Sequence, residues 1–70
     1  MDEGKLRDAA AGAVLLGDAR TYQRIERALG EPIVVPNLSY TAAHRRRCIA
    51  AHAKAQALET LGIPLADLER

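Results

Sequence analysis

The sequence predicts an all-α protein: a small bundle of three main helices plus a short C-terminal helix, in one domain spanning residues 1–70. Three observations lead there. Gly17, Gly30 and Gly62 divide the chain into stretches of helical length, and glycine is the residue that most often closes a helix. Apolar residues recur at spacings of three and four rather than alternating. The one β-branched run, Ile33-Val34-Val35, is too short to make a sheet of its own.

The first helix is expected from Lys5 to Leu16, with Asp2 and Glu3 where the helix dipole favours acids and Gly17 as the stop. Leu6, Ala9, Ala10, Ala13 and Leu16 share one of its faces. Gly12, inside it, either weakens the helix by roughly 1 kcal/mol relative to alanine or marks a close backbone approach. Asp18 is placed to cap a second helix that ends at Gly30. Its apolar side carries Tyr22, Ile25, Ala28 and Leu29, and its other side carries Arg20, Arg24 and Arg27 at i, i+4, i+7. Pro32 and Pro36 then impose an extended connector over residues 32–38, with Ile33-Val34-Val35 plugged into the core.

Ser39 is expected to cap the longest helix, Tyr40 to Leu61, closed by Gly62. Thr41, Arg45, His52, Gln56 and Glu59 form its polar stripe, and the remaining arc is mostly alanine, with bulk from Tyr40, Ile49, Leu58 and Leu61. A helix apolar over so wide an arc has to be covered on more than one side. Pro64 suits the first turn of a last short helix, Pro64 to Glu69, whose Leu65 and Leu68 fold back onto the core.

Composition limits what the chain can do. Seventy residues with neither Phe nor Trp, and with much of the apolar fraction in alanine, support a core that supplies only roughly 3–5 kcal/mol. A second copy or a partner protein is therefore expected to complete the burial. The net charge of +1 sets up no strong field toward nucleic acid or membrane. Residues 32–58 nevertheless hold four bases and no acid, between two slightly acidic ends. A single cysteine, Cys48, allows no intrachain disulfide. With no signal-peptide pattern and no apolar run of membrane-spanning length, the chain is expected to be cytoplasmic. Ala and Arg usage with only two Lys fits a GC-rich bacterial or phage gene.

The candidate chemistry is sparse. His44, Cys48 and His52 fall at i, i+4, i+8 of the third helix. Adjacent pairs could chelate one ion, but all three span about 12 Å of helix axis. Carboxylates or a second chain would have to complete a site, so no metal and no cofactor is expected. No orienting carboxylate pair or glycine-rich loop accompanies Cys48 as a nucleophile. No catalytic residue is assigned, and the chain is expected not to be an enzyme. Arg45-Arg46-Arg47 does not form one patch, since consecutive helical residues point about 100° apart. Arg46 lies among Ala42, Ile49, Ala50 and Ala53, whereas Arg47 lines up with Lys54. The candidate binding surface is therefore Arg20, Arg24 and Arg27 together with Arg46, Arg47 and Lys54, guanidiniums being suited to carboxylate or phosphate.

Over eleven residues, Leu58-Glu59-Thr60-Leu61-Gly62-Ile63-Pro64-Leu65-Ala66-Asp67-Leu68 resembles the stretch that closes the DNA-binding domain of MerR-type regulators. Upstream the chain lacks that family's recognition helix-turn-helix and arginine-rich wing, so the resemblance implies local structure only. The function expected is that of a non-enzymatic module occupying a surface of a macromolecular partner: an inhibitor or adaptor that binds an acidic protein surface, with anti-CRISPR proteins as a class analogy. The alternative is a small dimeric DNA-binding regulator using the same arginines on phosphates.

Overall fold

A computed structural model describes residues 4–33 and 41–69, and over these the chain is all-α. Helix α1 spans Gly4–Leu16, α2 Ala19–Leu29 and α3 Ala42–Leu61, and a 3₁₀ helix follows at Leu65–Glu69. All three α-helices end on a glycine of positive φ, α2 on Gly30 (76°), and α1 and α3 close in the same way. Gly17 and Gly62 adopt positive φ (72° and 73°). In each case the next N–H reaches the carbonyl five residues back, Asp18 to Ala13 at 2.8 Å and Ile63 to Leu58 at 2.9 Å. Those bonds satisfy terminal carbonyls that would otherwise lack a partner.

Asp18 caps α2 through its side chain, which accepts from the Thr21 N–H. The cap of α3 differs from expectation: it is Thr41, whose hydroxyl accepts from the His44 N–H at 3.2 Å. Ser39 and Thr41 both offer a capping hydroxyl, serine being the more usual choice, and propensity pointed to the wrong one of the two. Ser39 and Tyr40 lie outside the described residues, as does all of the 32–38 connector beyond Pro32 and Ile33. The last helix is 3₁₀ rather than α, with the Asp67 N–H closing onto the Pro64 carbonyl at 3.0 Å. Five residues leave little room for i→i+4 bonds, and short ends tighten in this way.

Helices α1 and α3 form the main interface and run parallel: Asp8 meets Arg47, Gly12 meets Cys48 and His52, and Asp18 meets His52 and Gln56. Backbones approach this closely because α1 presents Ala9, Ala10, Gly12 and Ala13. A Cβ on Gly12 would stand 2.2 Å from the Cys48 carbonyl oxygen and 2.8 Å from the His52 Cβ. Gly12 thus marks a contact between helices. Helix α2 returns antiparallel, its far end tied to the start of α1 by Arg7–Glu31 at 2.8 Å.

The core consists of Leu6, Ala9, Ala10, Ile25, Ile33, Ala55, Leu65 and Leu68, with Tyr22, Leu29, Ala51 and Leu58 packed against it. Ile33 enters this core because α2 holds its backbone: Glu26 accepts its N–H at 3.1 Å, and the Tyr22 hydroxyl donates to its carbonyl. On α2, Thr21 is buried and Ala28 is exposed, so the inward face is rotated from the expected Tyr22–Ile25–Ala28–Leu29 stripe. The Asp18 network that anchors Thr21 causes the rotation.

Candidate functional site

Helix α3 faces the opposite way from what its composition suggests. Its buried positions are Cys48, His52 and Ala55, with His44, Ala51, Leu58 and Glu59 half-buried beside them. Ala42, Arg46, Ile49, Ala50, Ala53, Ala57 and Leu61 all face out. Ile49 is 40% exposed and Leu61 71%. Two of its side chains are therefore interior: His52, expected in the polar stripe, is 4% exposed and Cys48 is fully buried. Of the polar stripe only His52 is buried and Glu59 half-buried, because α1, α2 and the α2 cap offer them partners. Thr41, Arg45 and Gln56 stay exposed, and nothing among the described residues covers Ala42, Ala50, Ala53 and Ala57.

Asp18 is the centre of the inward network. Its Oδ2 accepts from the Thr21 hydroxyl at 2.6 Å, from His52 Nε2 at 2.9 Å and from Gln56 Nε2 at 2.8 Å, while Oδ1 accepts from the Thr21 N–H at 3.1 Å. A carboxylate can only accept, so His52 carries its proton on Nε2. These donors hold the Asp18 carboxyl well below the usual carboxylate range, the Thr21 hydroxyl and N–H first and His52 after them. The pairing binds α2's start to the middle of α3. It joins the start of α2 to α3 through hydrogen bonds alone and so anchors one helix to the other.

The candidate arginines separate into two places. Arg20 and Arg24 converge on Glu59 at 3.3 and 2.7 Å, near the C-terminal end of α3. Arg47 pairs with Asp8 at 3.2 Å in the other half. Residues 47 and 59 lie about 18 Å apart along the helix axis, so the two groups do not share a site. Arg27, Arg46 and Lys54 are exposed and make no ion pair among the described residues. The expected alignment of Arg47 with Lys54 has a counterpart in the structure. Both line an open groove of about 260 Å³ with Lys5, Asp8, Ala50, Ala51 and Leu68.

Near that groove, Asp8, His44 and Cys48 bring their donor atoms within 4.8 Å of one another. Sequence spacing identified His44 and Cys48 as a possible chelating pair but not Asp8, which lies on another helix. His52, the third member of the sequence motif, is committed to Asp18 instead. Burial pushes the Cys48 thiol up, the Asp8 carboxylate adds to this, and Arg47 opposes it. A buried, protonated thiol is a poor nucleophile. Cys48 is therefore expected to react slowly with a thiol reagent such as 5,5′-dithiobis(2-nitrobenzoate) in the native protein and fully in denaturant. Rapid native-state labelling would contradict this burial.

No helix among the described residues is long and apolar enough to cross a membrane. Comparison with protein-family models finds no match. Neither the curated proteins nor the solved structures contain a chain detectably similar to this one.

Proposed function

We propose that the protein acts by occupying a surface of another protein, with the outward face of α3 as the contact. One observation carries the reading: Ile49, Ala50, Ala53, Ala57 and Leu61 make a continuous apolar strip on the longest helix, exposed to solvent among the described residues. Small side chains let a partner helix approach closely, and Ile49 and Leu61 at either end supply apolar area for it to cover. Arg46 sits within the strip and Lys54 beside it. This pairing suits a partner whose matching surface is apolar with acidic residues at its rim.

Arg20, Arg24 and Arg27 are then a second, separate basic patch. Glu59 neutralises part of it, since Arg20 and Arg24 both face that one carboxylate. The same neutralisation weighs against phosphate-backbone binding as the primary role, because a DNA contact gains its affinity from unpaired cations. The module has no catalytic role in this reading, whether it serves as inhibitor or as adaptor.

The test is affinity capture from the native host's lysate with the wild-type chain, Ala53→Asp and Arg46→Ala, each run with and without nuclease. Ala53 and Arg46 are exposed, so neither substitution disturbs the core. The expected result is one dominant protein that survives nuclease, is lost with Ala53→Asp and is weakened with Arg46→Ala. Retention of the same protein by Ala53→Asp would move the contact off α3. Loss of all bound material on nuclease treatment would establish a DNA-binding regulator instead.

A further inference from the structure

We propose that Asp8, His44 and Cys48 form a three-ligand site for a zinc-class divalent ion, with a fourth position left for water. The case begins with donor chemistry. One thiol, one imidazole and one carboxylate make a mixed soft-to-hard set, and zinc accepts all three ligand types. His44 and Cys48 are one helical turn apart on α3, so their side chains leave the helix on the same face. Asp8 comes from α1, which the Gly12 contact holds against that face.

All three donor atoms already lie within 4.8 Å of one another. Around a tetrahedral ion with ordinary zinc–ligand bonds, such atoms stand roughly 3.5 Å apart. The difference is within the reach of small side-chain rotations.

A second observation points to a cation at the same place. The Arg47 guanidinium bridges two of the three side chains, its Nε at 3.2 Å from Asp8 Oδ2 and its Nη2 donating to His44 Nδ1 at 2.8 Å. A positive group thus lies against these side chains already, held by the Asp8 carboxylate and by an imidazole nitrogen lone pair. Arg47 is the stand-in that an arriving ion displaces. Its side chain is long, 63% exposed and beside the open groove, which gives it somewhere to go. Binding forms a sulfur–metal bond as Cys48 releases its thiol proton to solvent, and the carboxylate and imidazole donate without further change. The ion would then cross-link α1 to α3. This site is independent of the outward face of α3, so partner binding and metal binding can fail separately.

The experiment titrates cobalt(II) into the reduced full-length chain and then displaces it with zinc. The expected result is one equivalent bound, the intense visible bands of tetrahedral cobalt, and a thiolate-to-cobalt charge-transfer band in the near ultraviolet. Zinc should abolish both spectral features and raise the thermal midpoint. Cys48→Ala removes the charge-transfer band. Asp8→Asn and His44→Gln, at half-buried positions, weaken binding by at least about tenfold. They keep the test decisive if Cys48→Ala does not fold. Arg47→Gln should bind roughly tenfold tighter, because a competing charge has gone. Weak octahedral-type bands without charge transfer would overturn the proposal. So would an affinity unchanged in both Asp8→Asn and Arg47→Gln.

Discussion

Gly12→Ala is expected to destabilise the fold by about 3 kcal/mol or more, enough to leave much of the chain unfolded at room temperature. Two effects of opposite sign compete at this position. Alanine in place of glycine within a helix is worth up to roughly 1 kcal/mol in favour of the variant. Against that, the new methyl would stand 2.2 Å from the Cys48 carbonyl oxygen and 2.8 Å from its carbon. Both are backbone atoms of the neighbouring helix and cannot rotate aside. Relief requires α1 and α3 to separate, which opens the largest helix–helix interface of the fold. Urea unfolding followed by far-ultraviolet circular dichroism measures the difference directly. A variant as stable as the wild type, or more so, would mean that helix propensity wins and that the α1–α3 approach is looser than described.

Asp18→Ala should have the next largest effect, lowering the thermal midpoint by roughly 10 °C. It removes the N-cap of α2 and at the same time strands His52, which is buried, along with the Thr21 hydroxyl. Leaving buried donors unpaired costs more than the bonds themselves contribute. Asp18→Asn keeps a cap acceptor and should lose less.

The pair of variants also separates cap from charge through pH. The folded-state pKa of Asp18 lies below that of the unfolded chain. Its contribution to stability is therefore fully present above the unfolded value, about 3.9, and fades as pH falls through the lower folded value. The wild type should lose stability steeply below about pH 4, and Asp18→Asn should show a flatter acid limb over the same range. Parallel acid limbs in the two proteins would show that the carboxylate charge is not what the network uses.

Much of the architecture was legible along the chain because its determinants are local. Asp18 with Thr21 three residues on, and the three glycines after Leu16, Leu29 and Leu61, each set a helix end through atoms within one turn. The second helix was legible as amphipathic because its arginines and its bulky apolar residues fall on different sides. The candidate site was legible only in fragments. His44 and Cys48 stood out by spacing, and Arg46 was legible as lying among small apolar neighbours, but not that this side of the helix faces outward. Asp8 went unnoticed because its relation to them crosses 36 residues of sequence. The pairing of Glu59 with Arg20 and Arg24 was illegible for the same reason.

The sequence by itself determined the fold class, the three helices and their closing glycines, and the shortage of large apolar residues that makes an outside partner expected. The tertiary structure alone decided which way α3 faces. A helix built largely of alanine has no strong apolar side, so its orientation cannot be read from periodicity. The choice passes to a few specific contacts. Gly12 admits the backbone of Cys48 and His52, and Asp18 offers acceptors to His52 and Gln56. Those contacts turn the histidines and the thiol inward, toward α1 and Asp18. They leave Ile49, Ala53 and Leu61 facing solvent.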